Sequence, residues 1–173
     1  PLERASTLYQ SDEKFRPQTA VGRINIAATD YFEQAVAPTL LPAMREMAPN
    51  VVLVFRTLHG KLPKQELETG AYDIAIAGYF DNIPPGFYSQ KTFDEKFVCL
   101  TRKDHPLIKG KLTLEKYLEL NHIIITLVGD LRGRVDTELE KQNKKRHIAL
   151  AMSGYFSSGC VAAESELILT CPA

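Results

Sequence analysis

Thr29, Asp30, Gly60, Lys61, Thr101, Thr126 and Tyr155 are the residues of this chain whose types and positions could hold a small molecule, because each follows an apolar run or opens a helical stretch. Thr29 and Asp30 come directly after IAA. Asp30 would repel a ligand carboxylate unless a capping bond offset its charge, so capping of the next helix is an equal reading there, and Thr29 is the better ligand contact. Gly60 and Lys61 bring backbone N–H groups and a cation to the start of a second helical stretch, a natural anion seat, with a solvated lysine as the plain alternative. Thr101 and Thr126 each close a strand-like run; both hydroxyls could face one cleft or be ordinary strand residues. Tyr155 and Phe156 open the last helical stretch after Ser153-Gly154, where an aromatic ring beside helix amides suits a flat anionic ligand, although Phe156 reads better as packing.

This is the chemistry of holding a molecule. His59, His105, His122 and His147 have no mutual HxxxH spacing and adjoin no nucleophile motif. Cys99, Cys160 and Cys171 lack CxxC or His-paired spacing, sit in apolar surroundings and read as buried reduced thiols. No metal, cofactor or catalytic set is expected. The basic run from Lys141 to Arg146 reads as a solvated helix end whose cations suit the helix dipole.

Such positions need a scaffold that gathers strand ends. RINIAATD from Arg23, NVVLVFRT from Asn50 and DIAIA from Asp73 are apolar runs rich in β-branched residues, separated by spacers of helix length. That pattern predicts a β-α-β-α-β unit with a parallel sheet, and it places Thr29-Asp30 and Leu58-His59-Gly60 side by side on the carboxyl rim. In the first spacer Val36, Leu40, Ala43 and Met47 form one stripe that should pack on the sheet; Pro42 should kink the helix and Pro49 should end it. Gly70 suits a left-handed cap on a short second helix around Leu62, Glu66 and Leu67.

After the turn residues Gly78 and Pro84-Pro85-Gly86, FYSQKTF and EKFVCLTR read as two extended segments. Their spacer is too short for a helical crossover, so the second should leave the first sheet. Beyond it come a helix over 113–120 behind a Thr113 cap, a buried strand over 122–126, and a helix over 134–143 with Val135 and Leu139 inward. A strand over 147–152, a helix over 155–163 and a strand over 166–170 complete a second α/β lobe. Residues 1–8 have helical character and lead through Phe15-Arg16-Pro17 as a linker.

With 173 residues, 45% hydrophobic and 24% charged, the chain has the composition of an ordinary soluble globular protein of one domain or two small lobes. Its 21 basic and 21 acidic residues balance, so nothing in the overall charge draws this segment to nucleic acid or to an anionic membrane. No apolar run approaches the roughly 20 residues that span a bilayer, and PLERASTLYQ has no secretory apolar core, so a cytoplasmic product without membrane partners is expected.

The order IAATD, a helix ending in Ala-Pro, VVLVF, then Leu67-x-x-Gly70-x-x-Asp73-Ile-Ala-Ile, VCLTRKDHPL and a late FSSGCVAAESELILTCP resembles the effector-binding domain of LysR-type bacterial transcriptional regulators. The resemblance covers nearly the whole chain. Its most specific parts are Leu67-x-x-Gly70-x-x-Asp73 leading into a strand and the strand that runs to His105-Pro106-Leu107. GDLRGRVDTELEKQ with Arg146-His147-Ile148-Ala149-Leu150 is similar to the branch holding nodulation and aromatic-acid-responsive regulators, and LERASTL…FRP resembles the end of the family's linker helix.

What the resemblance implies is an α/β fold of two Rossmann-like lobes joined by crossover strands, like type 2 periplasmic binding proteins, with a small-molecule effector in the cleft. It divides the chain into a linker (1–20), regulatory subdomain I (21–98), a hinge (99–105), subdomain II (106–166) and the start of a second crossover (167–173), short of the family's full second crossover. It implies homodimers or homotetramers through Val36, Leu40, Met44, Val52 and Val54, and DNA binding only through an amino-terminal winged helix-turn-helix domain absent here. A secreted solute-binding protein and an enzyme on the same two-lobed fold are the competing readings; the latter lacks a nucleophile and base set.

Overall fold

The computed structural model describes residues 15–78, 80 and 82–173; the expected linker-helix end at 1–14 lies outside the described residues. The first sheet holds β1 (Gly22–Ala28), β2 (Val51–Thr57) and β3 (Ile74–Ile76), all parallel, in the order β2-β1-β3. Between them run α1 (Asp30–Met47) and α2 (Lys64–Thr69). The predicted β-α-β-α-β unit is therefore present. Its central strand β1 buries Ile26, Ala27 and Ala28, and Phe32 of α1 joins Ile26 and Ala28 in a core completed by Val36, Leu53, Phe55 and Ile76.

Only the amino-terminal half of α1 is held by that core. Of the predicted stripe, Val36 packs, Leu40 is half-buried, and Ala43 and Met47 are exposed. The packed face begins one turn earlier than expected, at Phe32. Pro38 and Pro42 both lie inside α1, which continues to Met47 and closes with Ala48 N–H on Met44 O at 2.8 Å, just before Pro49. Gly70 is the left-handed cap of α2 (φ 75°, ψ 18°), its N–H on Leu67 O.

FYSQKTF forms no strand. It runs as irregular chain, with Phe93 stacked on Phe32 at 6.5 Å between ring centres and Tyr88 exposed. The second sheet holds β4 (Phe97–Leu100), β5 (Asn121–Ile125), β6 (His147–Met152) and β7 (Ile168–Pro172) in the order β4-β7-β5-β6. β4 runs antiparallel to β7, while β5 pairs parallel with β6 and β7. The chain after the Pro84 turn does leave the first sheet, as the short connection required.

Helices α3 (Leu114–Glu119), α4 (Arg134–Glu140) and α5 (Tyr155–Glu164) cover this sheet. Tyr117, Leu120, Leu139 and Ile168 make one core, and Ile123, Ala162, Leu169 and Cys171 the other. Thr113 caps α3 as expected, its Oγ accepting from Lys116 N at 3.3 Å. α4 ends three residues before the expected 143, because the chain turns back through Asn143 at φ 54° and Lys144 N–H returns to Leu139 O. Of the three free thiols only Cys171 is buried; Cys99 on the edge strand β4 and Cys160 on α5 are exposed, against expectation.

Candidate functional site

The carboxyl ends of β1 and β3 in one sheet and of β5 in the other meet around a cavity of about 680 Å³. Thr29, Phe32, Gly60 and Ile76 line it from the first lobe, and Thr126, Val128, Asp130, Arg132, Arg134, Arg146 and Tyr155 from the second. The irregular segment from Gln90 to Glu95 closes one side. A parallel strand followed by a helix leaves its loop at this rim, which is why positions distant in sequence converge here. A hollow of about 760 Å³ on the α3/α4 face, lined by Phe97, Leu112, Tyr117 and Leu139, belongs to the second sheet alone and lacks this convergence of strand ends.

Four of the predicted site residues, Thr29, Gly60, Thr126 and Tyr155, come together. Thr29 holds the amino-cap position of α1 in extended backbone but makes no side-chain capping bond. Thr126 lines the cavity with its hydroxyl already engaged, donating to Asp130 Oδ1 at 2.6 Å and accepting from Gly129 N at 2.9 Å, so it shapes the loop that follows β5. Gly60 (φ 74°) packs so close to the opposite lobe that an added Cβ would lie 3.2 Å from Val128 Cγ1. Tyr155 packs its ring against Tyr31 at 5.7 Å, and burial followed by the nearby Asp30 carboxylate pushes its hydroxyl pKa up.

The other three are placed elsewhere. Asp30 is not a cavity-lining residue: its Oδ2 crosses to the second lobe and accepts from Phe156 N at 3.1 Å, so it caps α5 rather than α1. Lys61 is exposed and does not line the cavity; α2 starts only at Lys64, so Gly60 and Lys61 are not at a helix terminus and the expected anion seat is not formed. Thr101 follows β4, and because β4 runs antiparallel its carboxyl end lies on the rim away from Thr126, where its hydroxyl donates to Arg102 O at 3.5 Å. It is Phe97, at the start of β4, that reaches the cavity.

Residues that the pattern did not single out complete the site. Tyr31 donates to Glu95 Oε2 at 2.5 Å, and burial together with that hydrogen bond to the carboxylate pushes its pKa up to about 12. Its place one residue after Asp30 was the available signal. Arg146 corrects the reading of 141–146 as wholly solvated. It is buried, with Nε 2.7 Å from Asp136 Oδ1, Nη2 2.9 Å from Asp136 Oδ2, and Nη1 3.1 Å from Tyr117 Oη. Burial alone would raise the Asp136 carboxyl, but the Arg146 guanidinium and the Gly133 N–H at 2.8 Å outweigh it and hold it below the usual carboxylate range. This buried fork fixes the turn carrying Arg132 and Gly133 against the sheet.

Two of the four histidines, His105 and His122, serve the framework. His105 is buried, donating from Nε2 to Glu166 O at 3.0 Å and accepting at Nδ1 from Leu107 N. His122, also buried, donates from Nε2 to Tyr117 O at 2.8 Å.

The family model for the LysR substrate binding domain matches residues 17–172. This chain belongs to that family. Among LysR relatives, the HTH-type transcriptional activator NagR of a Ralstonia species is 30% identical over 172 residues, covering 99% of this chain and 56% of that protein. The crystal structure of the probable transcriptional regulator PA0477 from Pseudomonas aeruginosa superposes with a TM-score of 0.87 at 27% identity, over 99% of this chain and 57% of that one. The effector binding domain of QuiR, solved in complex with shikimate, has a TM-score of 0.72 at 17% identity over 89% of this chain and 75% of that one, a likeness of fold. The chain spans about half the length of the curated LysR relatives it matches. Its two sheets are those of a LysR regulatory domain with the type 2 periplasmic-binding-protein fold.

Proposed function

We propose that this LysR domain senses a small anionic or aromatic molecule held between its lobes, and passes that occupancy to a winged helix-turn-helix domain of the same cytoplasmic regulator, with no bond made or broken. The observation that carries the reading is the cavity of about 680 Å³ between the strand ends of two sheets, bordered by hydroxyls, aromatic rings and three guanidiniums, of which Arg132 is paired with Glu140 and Arg146 with Asp136. In this reading 21–98 and 106–166 grip the ligand from two sides, 99–105 is the hinge and 167–173 begins the return crossover. Thr29, Gly60, Thr126 and Tyr155 are the contacts; Lys61 and Thr101 take no part. A ligand that favours one separation of the lobes shifts the population toward it, which is the form a regulatory signal takes.

A thermal-shift and calorimetric panel of benzoate, salicylate and shikimate tests the reading. At least one probe is expected to raise the melting temperature saturably, and Thr29→Val to weaken it roughly tenfold through one lost hydrogen bond to a charged group. A flat panel, or a probe indifferent to Thr29, overturns it.

The same reading includes association through α1 and β2. β2 is an edge of its sheet, with Val52 58% exposed, and α1 presents Leu41 and Met47 at 54% and 58%. Val54, Leu40 and Met44 flank this face half-buried, whereas Val36 belongs to the lobe's own core. A parallel edge left unpaired among the described residues, beside apolar side chains, suits a two-fold partner copy.

A further inference from the structure

The two lobes touch at a few points, and one of them is a charged group of the first lobe placed on the backbone of the second. Asp30 is the first residue of α1, yet its carboxylate accepts from Phe156 N–H at the amino end of α5. Gly154, the residue before α5, faces the same oxygen: a Cβ there would lie 3.0 Å from Asp30 Oδ2. Beside this contact Tyr31 and Tyr155 pack ring to ring, and across the cavity Gly60 abuts Val128.

We propose that Asp30 is a positioning residue, an interlobe clasp that sets the separation of the cavity walls. The carboxylate sits between two helix amino termini, its own and that of α5, and both dipoles favour a negative charge there. The amide it takes is one of those that an α-helix cannot satisfy internally, so the second lobe gains a bond it otherwise lacks. The clasp also occupies the Phe156 amide, one that an incoming anion would seek at α5. It is a property of the protein alone and holds whatever the cavity binds.

Amide exchange by NMR on the ligand-free protein tests it. Phe156 is 64% exposed and its N–H has no helical acceptor, so in the wild type its protection reports the clasp directly. Asp30→Ala is expected to speed exchange of that amide roughly tenfold or more, and Asp30→Asn, which keeps an acceptor oxygen, less. Cutting the clasp is also expected to shift the Val128 methyl resonances, because Gly60 and Val128 form a lobe contact across the cavity from Asp30. A wild-type Phe156 amide that exchanges freely overturns the proposal without any variant. So does an Asp30→Ala protein in which only Phe156 responds while Val128 is unmoved, since Asp30 would then be a local cap with no hold on the lobes.

Discussion

At the scale of single residues, the buried polar groups beside the cavity decide more than the exposed ones. The Arg146 and Asp136 side chains are 3% and 14% exposed, so truncating one strands the other's charge away from water. Arg146→Met is expected to lower unfolding free energy by roughly 3–5 kcal/mol in urea titration, with much of the loss recovered when Asp136→Leu is added. The exposed pairs Lys91–Asp94 and Lys141–Glu138 should each be worth under about 1 kcal/mol. His122 supplies a pH signature. Burial, outweighing its bond to Tyr117 O, depresses the ring pKa from 6.5 to about 4, and among the described residues its Nδ1 has no partner. The unfolded chain then takes up a proton near pH 6.5 that the folded protein refuses until about pH 4, so stability is complete above 6.5 and falls as the pH drops through that window. The expected loss at pH 5 is on the order of 2 kcal/mol, and a His122→Gln protein should lack that slope in pH-dependent denaturation. The Arg146–Asp136 fork was not legible in the sequence, because Arg146 stands in a run of lysines and its partner is ten residues away.

At the scale of elements, local chemistry and outcome agree wherever the deciding contacts are near in sequence. Thr113 caps α3, Gly70 ends α2, and the runs 147–152 and 51–57 are strands, because caps and β-branched runs act within a few residues. Gly70 allows a clean test: no atom lies within 4 Å of where its Cβ would be, so Gly70→Ala meets only the cost of a left-handed backbone. That cost is expected at roughly 1 kcal/mol, read as a lower melting temperature with no change in cavity behaviour. FYSQKTF failed as a strand: Phe93 stacks on Phe32 instead of facing a ladder partner, and Tyr88 is left in solvent. Thr101 failed as a site residue for a topological reason: the direction of β4 cannot be read from FVCL, and antiparallel pairing carries its end to the far rim.

At the scale of the whole molecule, the exposed face of α1 and β2 makes oligomeric state the natural measurement. Val52→Asp is expected to leave secondary structure intact and to shift a concentration-dependent sedimentation profile toward monomer; an unchanged profile would remove β2 from the interface. By itself the sequence determined two successive α/β units and put Thr29 beside Gly60 on one rim, because hydrophobic period and strand-end loops follow from local patterning, while its motifs carried the resemblance to the family. Only the tertiary structure decided that Asp30 clasps the other lobe, that Lys61 and Thr101 face away, and that Arg146 is buried. Those outcomes depend on strand direction and on contacts between residues up to 126 positions apart, which no local pattern encodes.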